Sequence, residues 1–110
     1  MSKYGSRKTI VDGISFDSKR EANRYCELKL LEKCGKIKDL KLQHKFELQP
    51  PFSKNGKTIR AITYVADFTY FDLEKTKNVV EDVKGYKTDV YQLKKKMFEY
   101  KFPTLTIVEV

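Results

Sequence analysis

Three residues near the middle of this sequence have types and spacing that suit chemistry on one ligand. Asp67 interrupts the most apolar segment of the chain, residues 64–70, and an ionised aspartate in a buried strand is costly unless its charge is compensated. Asp82 and Lys84 lie two apart in the next apolar segment, so their side chains point to the same side of a strand. Acids and a lysine gathered in this way are candidates for binding a cation and a phosphate.

A third acid, Glu21, lies near the start of a predicted helix, in line with its buried stripe. It precedes Tyr25 by four residues and Leu28 by seven, and such positions share one face of a helix. If the three acids and the lysine converge, they form a candidate Mg²⁺ or Mn²⁺ site. Mg²⁺ prefers one or two carboxylates together with water and phosphate oxygens.

Each of these residues also has an ordinary structural interpretation. Glu21 could be only the capping-box partner of Ser18, which lies three residues earlier. Asp82 and Lys84 could form an ion pair on an exposed strand, and Asp67 could pair with one of the many lysines.

Glu81, beside Asp82, is a second candidate for the acid that binds metal on that strand. Its parity is opposite to that of Asp82 and Lys84, which predicts a solvated Glu81 and favours Asp82 as the ligand. The strand is short, however, and a shift of its register by one residue would exchange the two acids. Both acids therefore stay candidates.

The elements that must position these residues follow from hydrophobic periodicity and turn signals. They are a small hairpin at Asp12 and Gly13, a helix over 18–35, strands over 40–48, 58–71 and 78–84, a helix over 88–100 and a strand over 105–110, with a second turn over 54–57. This order predicts an α/β fold in which two long helices cover a mixed sheet.

Two apolar patterns predict how the elements pack. The strand over 58–71 is apolar on both parities, which is typical of a central strand buried on both faces. In the first helix Cys26 falls in the predicted buried stripe. The predicted buried stripe of the second helix consists of Val90, Leu93, Met97 and Tyr100.

The composition predicts one domain over residues 1–110 with a polyanionic partner. The chain has 23 Lys and Arg against 15 Asp and Glu, a formal charge of +8, and 40% apolar residues, enough for one modest core. Such an excess favours nucleic acid first and an anionic membrane second. The alternative is that the lysines only keep the protein soluble.

The sequence argues against several other classes of protein. No apolar run approaches the roughly 18 residues of a membrane span, and no signal-peptide core follows Met1, which predicts a soluble, cytoplasmic protein. Cys26 and Cys34 would lie about 12 Å apart on a helix, too far for a disulfide. With one histidine, His44, neither a zinc site nor a histidine-based nucleophile set is expected, and no Gly-rich loop indicates ATP binding.

Basic residues at two places are candidate DNA contacts. One set forms an N-terminal arm over residues 1–8 and the other lies on or before the second helix; the two sets are Lys3, Arg7 and Lys8, and Lys87, Gln92, Lys94, Lys95 and Lys96. The alternative for the second set is a solvated helix face. If these residues contact phosphates, affinity should fall by about 0.9 log unit per contact for each decade of salt.

The order of acids and elements resembles the PD-(D/E)XK nuclease superfamily over residues 16–110. The resemblance is carried by FDSKREA at 16–22, VADF at 65–68 and VEDVKG at 80–85, which look most like small phage and prophage domains of unknown function. Those are related to archaeal-type Holliday junction resolvases and to transposon-end nucleases. The sequence departs from the pattern at Ala66, where the superfamily's name has proline, and at Asp82, where most relatives have glutamate.

The resemblance implies a restriction-endonuclease-like core and a metal-dependent DNA endonuclease encoded by a phage or prophage in a bacterial host. By this resemblance Glu21, Asp67 and Asp82 would bind one or two Mg²⁺ or Mn²⁺ ions. Lys84 would position the attacking water or stabilise charge on the phosphate. A supporting basic or amide residue, here Lys94 or Gln92, often lies on the second helix of such proteins.

The expected substrate is duplex or branched DNA, such as a recombination intermediate. A chain of 110 residues leaves little room for a separate sequence-reading domain, so structure-selective cutting is expected. Cutting both strands of a junction needs two active sites, which predicts a homodimer. Two alternatives stay open: a non-catalytic nucleic-acid-binding module on the same fold, and a phage protein that binds a host protein.

Overall fold

The computed structural model describes residues 8–84 and 86–110 and has an α/β fold with two helices and a mixed sheet. Lys3, Arg7 and most of the predicted basic arm lie outside the described residues. The elements are β1 (Thr9–Val11), β2 (Ile14–Phe16), α1 (Lys19–Lys33), β3 (Ile37–Gln49), β4 (Phe52–Lys54), β5 (Lys57–Ile59), β6 (Ile62–Asp72), β7 (Lys77–Asp82), α2 (Asp89–Lys101) and β8 (Ile107–Glu109).

The main sheet has four strands in the order β3-β6-β7-β8. β3, β6 and β7 are antiparallel neighbours, and β8 lies parallel to β7 after the crossover through α2. The predictions of an α/β class, of a mixed sheet and of a central position for β6 are confirmed. In this described part of the chain, no helix is long and apolar enough to cross a membrane.

The two helices cover opposite faces of this sheet. Val79 and Val80 are consecutive on β7, so their side chains point to opposite faces. Val79 packs against a cluster that contains Leu28 of α1, whereas Val80 belongs to a cluster that contains Phe98 of α2. The sheet therefore carries a core on each side.

β3 and β6 change the face that they present to the helices at one point. Phe68 and its partner Leu42 pack with the α1 cluster, but Ala66, two residues before Phe68, belongs to the α2 cluster. Side chains two apart on a regular strand share a face, so the backbone turns over between these positions. Gln43, with a left-handed φ of 53°, and Asp67 lie at this point.

Both predicted turns are confirmed as hairpins. Asp12 and Gly13 have φ values of 52° and 75° between β1 and β2, and Asn55 and Gly56 have 51° and 73° between β4 and β5. Two successive positive φ angles are the geometry of a two-residue hairpin turn that matches the twist of its strands. β4 and β5 form a small separate sheet, so the single strand predicted over 58–71 is two strands.

Three predictions about burial are wrong. Val65 of β6 is 37% exposed, so this strand is not buried on both faces, and Cys26 is exposed on α1. On α2 the buried residues are Tyr91 and Phe98. Of the predicted stripe, Met97 packs against their cluster, whereas Val90, Leu93 and Tyr100 are exposed. Two apolar rows compete on this helix, and the row with the bulky rings at 91 and 98 removes more area from water when buried.

Candidate active site

The candidate site lies where α1 begins and β7 ends, beside the turnover of β3 and β6. Glu21 is in the first turn of α1, which starts because the side chain of Ser18 accepts the Glu21 amide at 3.1 Å. Asp67 lies in the middle of β6, and its Oδ2 accepts the amide of Val83, just past β7, at 2.8 Å. The first contact places Glu21 in the first turn of α1, and the second fixes Asp67 relative to the end of β7.

The structure brings together the predicted acids Glu21, Asp67 and Asp82. Gln43 Nε2 donates to Glu21 Oε2 at 3.4 Å and to Asp67 Oδ1 at 3.3 Å, so one amide bridges two of the acids. After burial, the charge of Asp82 is among the causes that raise the pKa of both Glu21 and Asp67, which indicates that its carboxylate lies near both. The backbone amide of Glu21 takes part in the helix cap, whereas its carboxylate accepts from Gln43 beside the other acids.

Burial and mutual repulsion raise the pKa of two of these acids. Burial, followed by the charges of Asp67, Asp17 and Asp82, raises the pKa of Glu21 to about 7. Burial also raises the pKa of Asp67 to about 6, with the charge of Asp82 in the same direction and the hydrogen bonds from Val83 and Gln43 opposing it. Carboxyl groups that resist ionisation in this way gain from a cation placed among them.

Asp82 is buried beside Lys84 rather than exposed with it. Asp82 is 2% exposed, Tyr64 OH donates to its Oδ2 at 2.5 Å, and Lys84 Nζ lies 3.0 Å from its Oδ1. Lys84 Nζ also lies 4.3 Å from the centre of the Tyr91 ring, which favours a cation over its face. The two contacts hold the ammonium group next to the acids.

Glu81 does not join this cluster, and the prediction that it is solvated is wrong. It is 1% exposed, and Arg24 donates two hydrogen bonds to it, from Nε to Oε1 at 2.8 Å and from Nη2 to Oε2 at 2.6 Å. Tyr70 OH donates to the same carboxylate. Glu81 can be buried because Arg24 of α1 pairs with it. Of the two adjacent acids, Asp82 lies near Asp67.

Among the predicted DNA-contacting residues that the structure describes, some are paired with an acid or a backbone group and others are not. Glu109 pairs with Lys87 Nζ at 2.9 Å and with Lys95 Nζ at 3.4 Å, and Lys8 pairs with Asp17 at 3.5 Å. Gln92 donates to the carbonyl of Lys87 at 3.3 Å. On the same helix Lys94 is half-buried and Lys96 is exposed.

The donor set is of the kind that binds a hard divalent cation. Its donors are carboxylate oxygens, and Asp82 Oδ1 is buried without accepting a hydrogen bond in the described part of the chain, although Lys84 pairs with it. Such an oxygen is suited to a metal ion. As the side chains stand, residues 8–84 and 86–110 contain no group of three or more His, Cys, Asp or Glu arranged to hold a metal ion, and the Gln43 amide lies between two of the acids.

Four residues around the site were not foreseen from the sequence. Gln43 falls on the polar parity of β3, and only the register with β6 places it beside Asp67. Tyr64 was counted among the apolar residues of the strand predicted over 58–71, and Tyr91 falls outside the predicted stripe of the second helix. The signal for both was a hydroxyl that needs a partner when buried. Arg24 lies three residues after Glu21, so both are on one face of the first helix. That spacing could have indicated Arg24 as the partner of a buried Glu81.

Comparisons with known proteins give the family of this chain and no named relative. No curated protein and no solved structure matches it. One family model, described as a protein of unknown function (DUF1064), matches residues 1–110. Because that match spans the whole sequence, the chain belongs to the DUF1064 family.

Proposed function

We propose that this protein is a metal-dependent DNA endonuclease. The observation that carries the proposal is the meeting of Glu21, Asp67 and Asp82, with Lys84 held beside them, at a half-buried point where burial and repulsion raise carboxyl pKa values. Perturbed acids gathered with a lysine are typical of functional sites. Structural ion pairs alone do not require three acids at one half-buried point.

The arrangement of the elements supports a restriction-endonuclease-like core of the PD-(D/E)XK type. α1, three antiparallel strands, α2 and a last strand parallel to β7 follow in the order expected for that core. The three acids come from the first helix and the two central strands, and Lys84 follows the end of β7 by two residues. The resemblance of the sequence implies the same order of these residues. This part of the proposal concerns the fold and is independent of any activity.

The residues of the site have separate roles in the proposed hydrolysis. Glu21, Asp67 and Asp82 would hold Mg²⁺ or Mn²⁺, which when bound supplies a hydroxide nucleophile and stabilises charge on the phosphate. Lys84 Nζ, fixed by Asp82 and by the ring of Tyr91, donates to the phosphate or orients the attacking water. Tyr64 holds the Asp82 carboxylate in place through its hydroxyl.

The proposed substrate is DNA, either duplex or branched. The formal charge of +8 favours a polyanion. The proposal includes selectivity for a DNA structure such as a four-way junction, as the resemblance to Holliday junction resolvases implies. A homodimer would supply the two active sites that cutting both strands requires.

The test is cleavage of a labelled four-way junction and of a linear duplex with the same arms. The wild type is incubated with Mg²⁺, Mn²⁺ or EDTA, and products are separated on a denaturing gel. We expect cleavage with either metal and none with EDTA, with the junction cut faster than the duplex. Binding of both DNAs without cleavage by either metal would contradict the proposal and favour a non-catalytic nucleic-acid-binding module.

A further inference from the structure

The backbone at Gln43 has an unusual left-handed conformation within a strand. Its φ of 53° lies in the left-handed region, which residues other than glycine rarely adopt and which is costly within a strand. It lies where the pairing of β3 with β6 passes from Leu42 and Phe68 to His44 and Ala66. Strain of this kind often occurs where a side chain is directed to a functional site.

The side chain of Gln43 is directed at two of the three acids. Its amide nitrogen lies 3.4 Å from Glu21 Oε2 and 3.3 Å from Asp67 Oδ1. An amide nitrogen has two hydrogens, so it can donate one to each carboxylate. The nearby cation, Lys84, is paired with Asp82, and Gln43 is the side chain that donates to the other two acids.

We propose that the Gln43 amide is a built-in competitor of the divalent cation. The inference rests on the proposed metal centre. A cation held by both Glu21 and Asp67 would lie between their carboxylates, where the Gln43 amide nitrogen now lies 3.4 Å and 3.3 Å from one oxygen of each. The ion and the amide cannot both occupy that place. Gln43 must therefore turn away before the ion is bound by both acids.

The competition has two linked consequences. In the cation-free protein the amide offsets the repulsion between two half-buried carboxylates, so its removal lowers stability. The same stabilisation is lost when the cation binds, so removal of the amide tightens cation binding. The hydrogen bonds are long, and their loss corresponds to a change of about three- to tenfold in the dissociation constant.

The experiment compares Mn²⁺ binding by the wild type, Gln43→Ala and Gln49→Ala, measured by titration calorimetry on protein freed of metal with EDTA. Gln49 provides the matched control, because it lies at the end of the same strand, six residues away. Gln43→Gly is the second variant, since glycine adopts the left-handed φ without strain. Thermal unfolding in EDTA is recorded for each protein.

We expect both Gln43 variants to bind Mn²⁺ about three- to tenfold more tightly than the wild type. We also expect Gln43→Ala to unfold at a lower temperature than the wild type in EDTA, and its unfolding temperature to rise more on saturation with Mn²⁺. Gln49→Ala should bind Mn²⁺ with the affinity of the wild type. Equal or weaker Mn²⁺ binding by the Gln43 variants, where the wild type binds, overturns the inference alone. Failure of every protein, the wild type included, to bind Mn²⁺ overturns the metal centre and the inference together.

Discussion

At the scale of single residues, the central feature is that Glu21 and Asp67 share a half-buried space. Burial raises the pKa of both carboxyl groups, the charges of Asp67 and Asp82 raise that of Glu21 further, and the charge of Asp82 raises that of Asp67 further. A carboxyl group whose pKa is higher in the folded than in the unfolded chain contributes stability below its unfolded pKa and loses that contribution as the pH rises. The acids of the site therefore weaken the fold at neutral pH.

This predicts a pH dependence of stability that the site residues control. In EDTA, Glu21 loses its contribution as the pH rises from its ordinary pKa of 4.5 to about 7, and Asp67 does so from 3.8 to about 6. The free energy of unfolding by urea, measured from pH 4 to 8, should therefore fall more with pH in the wild type than in Glu21→Gln. Saturating Mg²⁺ should reduce the fall. Identical pH profiles for the two proteins would contradict the assignment.

At the scale of elements, α1 is joined to β7 by the pair of Arg24 and Glu81. Arg24 lies one turn after Glu21 and Glu81 immediately precedes Asp82, so the pair fixes the distance between the helix and the strand that carry these two acids. Both oxygens of the buried Glu81 are engaged, one of them also by Tyr70. The pair positions the site without being part of it.

Removing one member of this pair should be costly. Arg24→Met leaves a buried, unpaired Glu81 and should lower the free energy of unfolding by about 3–5 kcal/mol, measured in urea. Glu27, the other partner of Arg24, has a side chain that is 64% exposed, so Glu27→Gln serves as the control and should change stability by less than about 1 kcal/mol. The double variant Arg24→Met with Glu81→Met should be more stable than Arg24→Met alone. A small loss in Arg24→Met would contradict the role of the pair.

The sequence was sufficient for the order of the elements because periodicity and turn chemistry are local. The alternation along β3, the hairpin at Asp12 and Gly13, and the Ser18 cap each depend on neighbouring residues, and all are observed. Which apolar row of α2 is buried depends on the sheet that it meets, and this was predicted wrongly. The environment of the acids likewise depended on residues far apart in the chain: Gln43, which register alone brings to Asp67, and Arg24, which reaches Glu81 from α1.

At the scale of the whole molecule, the lysines that supply the excess positive charge differ in whether an acid pairs with them. Glu109 accepts a hydrogen bond from the hydroxyl of Tyr91 and pairs with Lys87 and Lys95. These partners lower its pKa to about 2, so it stays ionised at neutral pH. It offsets part of the charge near the start of α2. The exposed Lys96 and the half-buried Lys94 carry charge on the same helix without a comparable acid partner in the described residues.

This distribution predicts which lysines bind DNA. Lys96→Gln should weaken binding to a duplex and reduce the slope of log affinity against log salt by about 0.9, the amount for one phosphate contact. Lys87→Gln should change the slope less, because Lys87 is already paired. Lys33→Gln at the end of α1 is the control for charge alone. Equal effects of all three substitutions, in fluorescence anisotropy at several salt concentrations, would show that only net charge matters.

The proposed active site depends most directly on Asp67, and cleavage of the four-way junction by an Asp67 variant tests it. Asp67→Asn is compared with the wild type and with Asp39→Asn, which makes the same change at an exposed position of β3 whose φ of 58° asparagine also adopts. All three are assayed under single-turnover conditions with Mg²⁺ and with EDTA. We predict that the wild type and Asp39→Asn cut in Mg²⁺ only, and that Asp67→Asn binds the junction but cuts at least about a hundredfold more slowly. Cleavage by Asp67→Asn at the rate of the wild type would contradict the assignment of this cluster as the active site.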